Sequence, residues 1–244
     1  MTASKIPAQL PAVRVFLFDF DGVLVDSLGD IASSVNAALR HFDCPELEQE
    51  TVRGFVGDGA RCLLSRAFAA AAGKAGLPPA LSDAELDERL AWYKRWYETH
   101  AVEKTVLYPG VAALLEGIRA AGAASAVVSN KPARVSAVIA EKLGIAADLC
   151  AIIGPEDTGK TKPAPDGLAE ALRRINGARK DGGLPYTPAD VLMTGDSPQD
   201  IQAGKNFGCR TCAVLGGYTP AGRLLAAGAD FSVRTAGELI QIVP

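Results

Sequence analysis

The sequence predicts an α/β protein in which a parallel sheet carries helices on both faces and a helical bundle is inserted after the first strand. Short apolar runs that alternate with segments of helical periodicity predict the sheet. One long segment that has helical periodicity but no strand-like run predicts the inserted bundle. With 244 residues and 48% apolar side chains, the chain is long enough for one large domain or two smaller ones.

Five short apolar runs are typical of strands that are buried on both faces of a sheet. In chain order, these predicted strands span residues 13–18, 124–129, 149–153, 191–194 and 211–215. Three helical faces lie between them, formed by Val111, Leu114, Leu115 and Ile118; by Val135, Val138, Ile139 and Leu143; and by Leu168, Leu172 and Ile175. The Gly- and Pro-rich segment 176–190 predicts a surface loop before the fourth strand.

The inserted segment contains both tryptophans and has apolar residues at helical spacing. We therefore expect residues 26–104 to form a helical domain, and residues 1–25 and 105–244 to form the sheet domain. The aromatic residues of the insertion are expected in its core; they are Trp92, Tyr93, Trp96 and Tyr97. Asp26 and Ser27 are expected to cap its first helix, with Asp30 completing a capping box.

Composition and charge exclude several classes of protein. The chain has 25 Lys and Arg against 28 Asp and Glu, and this net charge of −3 argues against a nucleic-acid partner or a cationic membrane anchor. The apolar stretch near the N-terminus is too short for a signal peptide, and five scattered cysteines do not make a disulfide framework. We expect a cytoplasmic monomer or homodimer with no membrane partner, in which Cys209 and Cys212 are core or surface thiols.

Polar residues follow four of the predicted strands. They are Asp19 and Asp21 after the first, residues 129–131 (Ser-Asn-Lys) after the second, Lys160 and Lys162 after the third, and Asp196 and Asp200 after the fourth. A lone aspartate at such a place is typically a turn or cap residue. However, the carboxyl ends of parallel strands meet at one edge of a sheet, which is where such sheets bind ligands.

Carboxylates that meet at this edge require a cation. Two unit charges about 4 Å apart repel by about 4 kcal/mol at an effective dielectric constant of about 20. Mg²⁺ suits oxygen ligands of this kind, with one or two carboxylates and a substrate phosphate. A lysine close by suits a further anion, so the set of residues predicts a site that handles a phosphoryl group.

Four ordered motifs resemble those of the haloacid dehalogenase superfamily. They are residues 18–27 (FDFDGVLVDS), 127–130 (VVSN), 162–166 (KPAPD) and 195–200 (GDSPQD). The resemblance covers nearly the whole chain. It implies a Rossmann-like core that carries a mobile cap, and the insertion after the first strand resembles the all-helical type of cap.

The resemblance also implies a role for each motif residue. Asp19 would be the nucleophile that accepts the phosphoryl group, and Asp21 would protonate the leaving oxygen and then activate water. Lys162 would neutralise the negative charge of the nucleophile and of the phosphate. The substrate's phosphoryl group would contact Gly22, Ser129, Asn130 and Lys162. Mg²⁺ would be held by Asp19, the Asp21 carbonyl and Asp196, with Asp200 supporting the metal without binding it directly. Asp21 argues against a dehalogenase, which has no acid at that place.

Within the insertion, residues 54–61 (GFVGDGAR) resemble the cap loop of phosphoglycolate phosphatases. Gly57 and Gly59 would let this loop approach the substrate closely. Arg61 would then bind a substrate carboxylate, or would instead be a solvated cation on a helix surface. The implied substrate is a small phosphorylated metabolite, 2-phosphoglycolate first, and a sugar phosphate or nucleoside monophosphate next. A β-phosphoglucomutase-like transfer is an alternative within the superfamily.

Two other classes of protein remain open from the sequence. Residues 154–161 (GPEDTGKT) satisfy the P-loop pattern of an NTPase, which requires a helix beginning at Lys160 and Thr161. Pro163 and Pro165 disfavour that helix. The other alternative is a phosphate-binding module without activity, although such a module would gain nothing from both Asp19 and Asp21.

Overall fold

The computed structural model describes residues 13–76, 81–180 and 182–244. The chain divides into two compact units. The first, here called the sheet unit, comprises the residues up to Asp26 together with Leu107–Pro244. The second, the helical unit, comprises Ser27–Val106.

The strands of the described ranges are, in chain order, β1 (Val15–Phe18), β2 (Val25–Asp26), β3 (Val106–Leu107), β4 (Ala124–Val128), β5 (Ala151–Ile153), β6 (Val191–Gly195), β7 (Arg210–Val214) and β8 (Phe231–Val233). Six of them form one parallel sheet in the order β5-β4-β1-β6-β7-β8. The strand order reverses at β1, which has β4 on one side and β6 on the other. In open α/β sheets, ligands bind at the carboxyl ends of strands beside such a reversal.

The predicted α/β class and parallel sheet are confirmed, and all five predicted strands are present. Each of these five strands begins and ends within two residues of its predicted bounds. All four residues of β1 are fully buried, as a strand covered on both faces requires. The sequence analysis missed β8, since the polar Ser232 interrupts its short apolar run.

The α-helices of the described ranges are α1 (Leu28–His41), α2 (Gln49–Arg53), α3 (Ala60–Ala75), α4 (Asp83–His100), α5 (Val111–Ala120), α6 (Ala133–Lys142), α7 (Pro155–Thr158), α8 (Asp166–Ala178), α9 (Pro198–Phe207) and α10 (Ala221–Ala226). The predicted apolar faces of α5 and α8 are buried, and that of α8 packs against the sheet. The predicted loop 176–190 begins later than expected because α8 continues to Ala178, and Pro188–Asp190 forms a short 3₁₀ helix. Residue 181 of this loop lies outside the described residues.

In the helical unit, Asp30 has a different role from the one predicted. Ser27 is the N-cap residue of α1, but its side chain makes no capping hydrogen bond. The buried Asp30 carboxylate instead accepts hydrogen bonds from the backbone N–H groups of Glu103, Lys104 and Thr105, at 2.9–3.0 Å, and from the Thr105 hydroxyl at 2.7 Å. Asp30 thus joins the beginning of this unit to its end.

The aromatic residues of α4 divide between two environments. Tyr93 and Tyr97 are buried, as predicted. The two tryptophans are only half-buried, and they stack in a row with two histidines. The ring centroids of His41 and Trp92 are 4.6 Å apart, those of Trp92 and Trp96 5.3 Å, and those of Trp96 and His100 4.0 Å.

None of the described helices combines the length and apolar character needed to cross a bilayer.

Candidate active site

The strand reversal brings three predicted site residues to one edge of the sheet. Asp19 directly follows β1, Ser129 follows β4 and Asp196 follows β6. The three strands are in register, since Phe18 pairs with Val127 on one side and Thr194 on the other. The Asp19 N–H continues this ladder by donating to the Thr194 carbonyl at 2.9 Å. The backbone therefore fixes the relative positions of these residues.

Three carboxylates form a buried acidic cluster at this edge. Asp19, Asp196 and Asp200 each offer an oxygen atom, and these atoms all lie within 4.8 Å of one another. All three residues are buried. The convergence of Asp19 and Asp196, which are far apart in the sequence, is what the predicted metal site requires.

Lys162, and not Lys160, contacts the acidic cluster. Its side chain is 3% exposed, and its Nζ lies 2.9 Å from Asp19 Oδ1 and 2.6 Å from Asp200 Oδ1. The same ammonium donates to the Val128 carbonyl at 2.6 Å. Lys160 is exposed and forms an ion pair with Asp166 at 2.8 Å.

The P-loop alternative is wrong. The segment 154–161 folds as the short helix α7, which ends at Thr158. The next helix, α8, begins only at Asp166, so no helix N-terminus lies at Lys160 and Thr161. Without that helix, the backbone N–H groups that would hold a nucleotide's phosphates are not aligned.

Asn130 holds the backbone of Lys162 in place. Its Oδ1 accepts a hydrogen bond from the Lys162 N–H at 2.8 Å, and its Nδ2 donates to the Lys162 carbonyl at 3.3 Å. The side chain therefore ties the loop after β4 to the loop that carries the lysine. The sequence predicts a phosphoryl contact for Asn130 and gives no sign of this second contact. Ser129, next to it, is buried and accepts a hydrogen bond from the Lys131 N–H at 3.3 Å.

The electrostatics of the cluster favour a bound cation. Burial raises the pKa of Asp19 to about 6, although Lys162 acts to lower it. Burial likewise raises the pKa of Asp196 well above its usual range, and Asp19 and Asp200 raise it further. Burial alone would lower the pKa of Lys162, but Asp19 and Asp200 outweigh this and raise it. One ammonium thus leaves the three carboxylates only partly neutralised.

Local backbone structure fixes the two carboxylates that follow β6. Asp196 accepts a hydrogen bond from the Tyr218 N–H at 2.5 Å. Asp200 completes a capping box with Ser197, the N-cap residue of α9, since its Oδ2 accepts hydrogen bonds from the Ser197 N–H at 3.0 Å and from the Ser197 hydroxyl at 2.6 Å. The other Asp200 oxygen faces Lys162, so this carboxylate has partners of its own.

Gly22 packs directly against the Asp196 carboxylate. A Cβ on Gly22 would overlap the Asp196 side chain, and its φ of +80° is strained for any other residue. Gly22 therefore makes room for Asp196, whereas its predicted substrate contact remains a prediction.

Lys131 is a site residue to which the sequence analysis gave no role. It is buried, and its Nζ lies 2.8 Å from both carboxylate oxygens of Asp21. The signal in the sequence is its place in the polar run that follows β4. A lysine in the loop after a strand is expected at the surface unless its partner is known.

The described residues fit a divalent metal ion. Asp19 and Asp196 supply hard carboxylate oxygens from adjacent strand ends, the donor type that Mg²⁺ and similar cations prefer. The side chain of Asp21 contacts Lys131 instead, so this residue would contribute its backbone carbonyl, as the resemblance implies.

In the helical unit, Arg61 already has two carboxylate partners. Its guanidinium forms ion pairs with Asp83 at 2.9 Å and with Asp87, both on α4. The side chain is 43% exposed. The structure therefore favours the helix-surface role for Arg61 over the predicted grip on a substrate carboxylate. Gly57 and Gly59 have φ values of +124° and +85°, and Gly59 is the N-cap residue of α3.

Comparison with known proteins identifies the family. The family model described as haloacid dehalogenase-like hydrolase matches residues 16–214. The chain therefore belongs to the haloacid dehalogenase-like hydrolase family, as the four motifs predict.

Named relatives include several phosphatases. The phosphoglycolate phosphatase of Chromobacterium violaceum is 31% identical over 96% of this chain and 98% of its own length. That of Escherichia coli strain K12 is 34% identical over 84% of this chain and 82% of its own length. A crystal structure from Haemophilus somnus 129pt, described as a predicted phosphoglycolate phosphatase, has a TM-score of 0.85 and 26% identity, and covers 97% of this chain and 100% of that one. These relatives confirm the prediction of a phosphatase of this family.

Proposed function

We propose that this protein is a Mg²⁺-dependent phosphomonoesterase that hydrolyses 2-phosphoglycolate to glycolate and phosphate through an aspartyl-phosphate. The observation that carries the proposal is the buried Asp19 carboxylate, which touches Lys162 and lies within 4.8 Å of its acidic neighbours. The similarity to named phosphoglycolate phosphatases over nearly the whole chain supports the substrate.

The first step forms the covalent intermediate. A carboxylate oxygen of Asp19 attacks the phosphorus in line, the ester P–O bond breaks, and Asp21 gives its proton to the leaving oxygen. Lys162 stabilises the negative charge that Asp19 and the phosphoryl group share, because its ammonium already contacts Asp19. Ser129, the backbone around Asn130, and Gly22 hold the phosphoryl oxygens.

The second step returns the enzyme to its starting state. Water attacks the phosphorus of the aspartyl-phosphate, Asp21 accepts a proton from that water, and the bond between phosphorus and the Asp19 oxygen breaks. Mg²⁺, held by Asp19, Asp196 and the Asp21 carbonyl, would offset the repulsion between the enzyme's carboxylates and the substrate dianion. Asp200 supports this arrangement through Lys162.

The helical unit is proposed to be the substrate-selecting cap, corresponding to the predicted domain 26–104. The glycines of its loop, Gly57 and Gly59, adopt positive φ values that only glycine accepts readily, and this supports a loop built for close approach to a ligand.

We also propose a cytoplasmic location, which agrees with five cysteines that form no disulfide in the described residues.

A panel of phosphate monoesters tests the function. Purified enzyme with Mg²⁺ is expected to release phosphate from 2-phosphoglycolate faster than from a sugar phosphate, a nucleoside monophosphate or an aryl phosphate. Asp19→Asn should abolish release from every substrate, whereas Asp166→Asn, at an ion pair with the exposed Lys160, should not. Isomerised sugar phosphates without released phosphate would instead indicate a mutase. No turnover of any ester would contradict the proposal and favour a binding module.

A further inference from the structure

We propose that Lys131 binds a second anionic group of the substrate, next to the ester carbon, and so selects phosphate esters of 2-hydroxy acids. This inference rests on the proposed function, because it takes Asp21 as the proton donor to the leaving oxygen. It concerns a residue that the four family motifs leave without a role.

Lys131 is held inside the sheet unit rather than on its surface. It is the third residue after β4, and Pro132 follows it as the N-cap residue of α6. Its side chain is 6% exposed. Burying an ammonium is costly unless it is paired with an anion, so a lysine at this place requires anionic partners.

The position of Lys131 puts its charge on the leaving-group side of the site. Its Nζ lies 2.8 Å from both oxygens of Asp21. A proton donor must come within about 3 Å of the leaving oxygen, so this ammonium lies within about 6 Å of that oxygen. By standard bond lengths, the carboxylate oxygens of 2-phosphoglycolate lie about 3 Å from the ester oxygen. Lys131 can therefore reach a carboxylate on the leaving group while it remains beside Asp21.

The charges of the site favour this assignment. Asp21 is neutral while it carries the proton that it gives to the leaving oxygen, so it then offsets less of the Lys131 charge, and a substrate carboxylate can supply negative charge in its place. Lys162 serves the other side of the site, because it pairs with Asp19 and Asp200. Arg61, which the sequence suggested for a substrate carboxylate, is paired with two aspartates of α4. Lys131 is the buried cation beside the proton donor.

A residue that only positions Asp21 would affect all substrates alike, and this difference gives the test. The specificity constant kcat/KM is measured for 2-phosphoglycolate and for two esters without the carboxylate charge, 2-phosphoglycolamide and ethyl phosphate. The enzymes are wild type, Lys131→Met and Lys131→Arg, with Lys160→Met as the control at an exposed lysine. Thermal unfolding of each variant shows whether it is folded.

Wild type and the Lys160→Met control are expected to prefer 2-phosphoglycolate to its amide by roughly 10- to 100-fold, the range of one buried charge-assisted hydrogen bond. Lys131→Met should lose most of that preference, and Lys131→Arg, which keeps the charge, should retain part of it. Equal losses on all three substrates in Lys131→Met would overturn the inference and leave Lys131 as a positioning residue.

Further outcomes are also decisive. If Lys131→Met does not fold, wild type and Lys131→Arg decide the test. A wild type with no preference for 2-phosphoglycolate, or a folded Lys131→Arg with no such preference, would overturn the inference. A preference retained in both of these enzymes would support it. A wild type that hydrolyses the esters without discrimination overturns the role of Lys131 but not the phosphatase. A wild type that hydrolyses none of them contradicts the proposed function itself.

Discussion

Replacing Lys162 by methionine is expected to destabilise the folded protein and to remove most of its activity. The variant keeps the length of the side chain and removes its charge from a site that is 3% exposed. Asp19 and Asp200 then lose the ammonium that lies 2.9 Å and 2.6 Å from their nearer oxygens. The carboxylates remain buried, so their mutual repulsion is no longer offset.

The size of the effect follows from these distances. At an effective dielectric constant of about 20, each of the two ion pairs is an attraction of about 6 kcal/mol. The desolvation of the lysine, which the variant avoids, offsets much of that sum, and breaking a buried pair by removing one partner typically costs about 3–5 kcal/mol. For a protein of this size, that loss lowers the unfolding temperature by roughly 6–20 °C. Loss of charge stabilisation should lower kcat/KM by about 100-fold or more.

Thermal unfolding in EDTA and in Mg²⁺, together with phosphate release, measures both effects. The control is Lys160→Met, which removes an exposed ion pair worth at most about 1 kcal/mol and should leave activity near that of wild type. Added Mg²⁺ should restore part of the stability of Lys162→Met, because it supplies positive charge to the same carboxylates. Equal losses in the two variants, or a fully active Lys162→Met, would refute the reasoning.

Three other predictions follow from single contacts. Asn130→Ala should lower the unfolding free energy by about 1–3 kcal/mol and should also lower activity, because the buried backbone of Lys162 loses two hydrogen bonds. The control Asn176→Ala removes the same pair of hydrogen bonds from the backbone of Tyr186 and should lower stability alone. Unchanged kinetics of Asn130→Ala would contradict this prediction. Asp30→Asn should lower the unfolding free energy by about 2–4 kcal/mol in urea denaturation, since an amide cannot accept hydrogen bonds from all four donors. An unchanged unfolding free energy would contradict this prediction. In EDTA, the pKa of Asp19 is about 6 in the folded protein against its ordinary 3.8, so the folded state binds this proton more tightly. The contribution of Asp19 to stability is therefore full below pH 3.8 and is lost as the pH rises through about 6. Asp19→Asn should remove that dependence, and a variant whose unfolding temperature keeps the wild-type pH profile would contradict this prediction.

The sequence predicts the sheet well because its strands are buried on both faces. The run Val15–Phe18 is apolar throughout, a pattern typical of a strand that is covered on both faces. The same pattern marks where each strand ends, and the residues at these ends or just beyond them include Asp19, Asp196 and Ser129. Strand β8 was missed because Ser232 interrupts its apolar run, so the segment does not have that pattern.

The pairings of the charged residues could not be predicted in the same way. Asp30 and its backbone partners are more than 70 residues apart, and no local pattern joins them. Asp21 and Lys131 are 110 residues apart, and their contact depends on side-chain direction rather than on spacing. Arg61 offered a weak signal, because Asp83 and Asp87 are four residues apart and thus share one face of α4.

The central claim is that Asp19 accepts the phosphoryl group, and the Asp21→Asn variant tests it most directly. Its side chain cannot activate water, but an aryl phosphate has a leaving group that needs no proton, so the intermediate should form and persist. After a rapid acid quench of Asp21→Asn with Mg²⁺ and p-nitrophenyl phosphate, mass spectrometry should find one phosphoryl group on the peptide that carries Asp19, with a matching burst of p-nitrophenolate. A phosphoryl group on another residue, or steady turnover with none on the protein, would contradict the account.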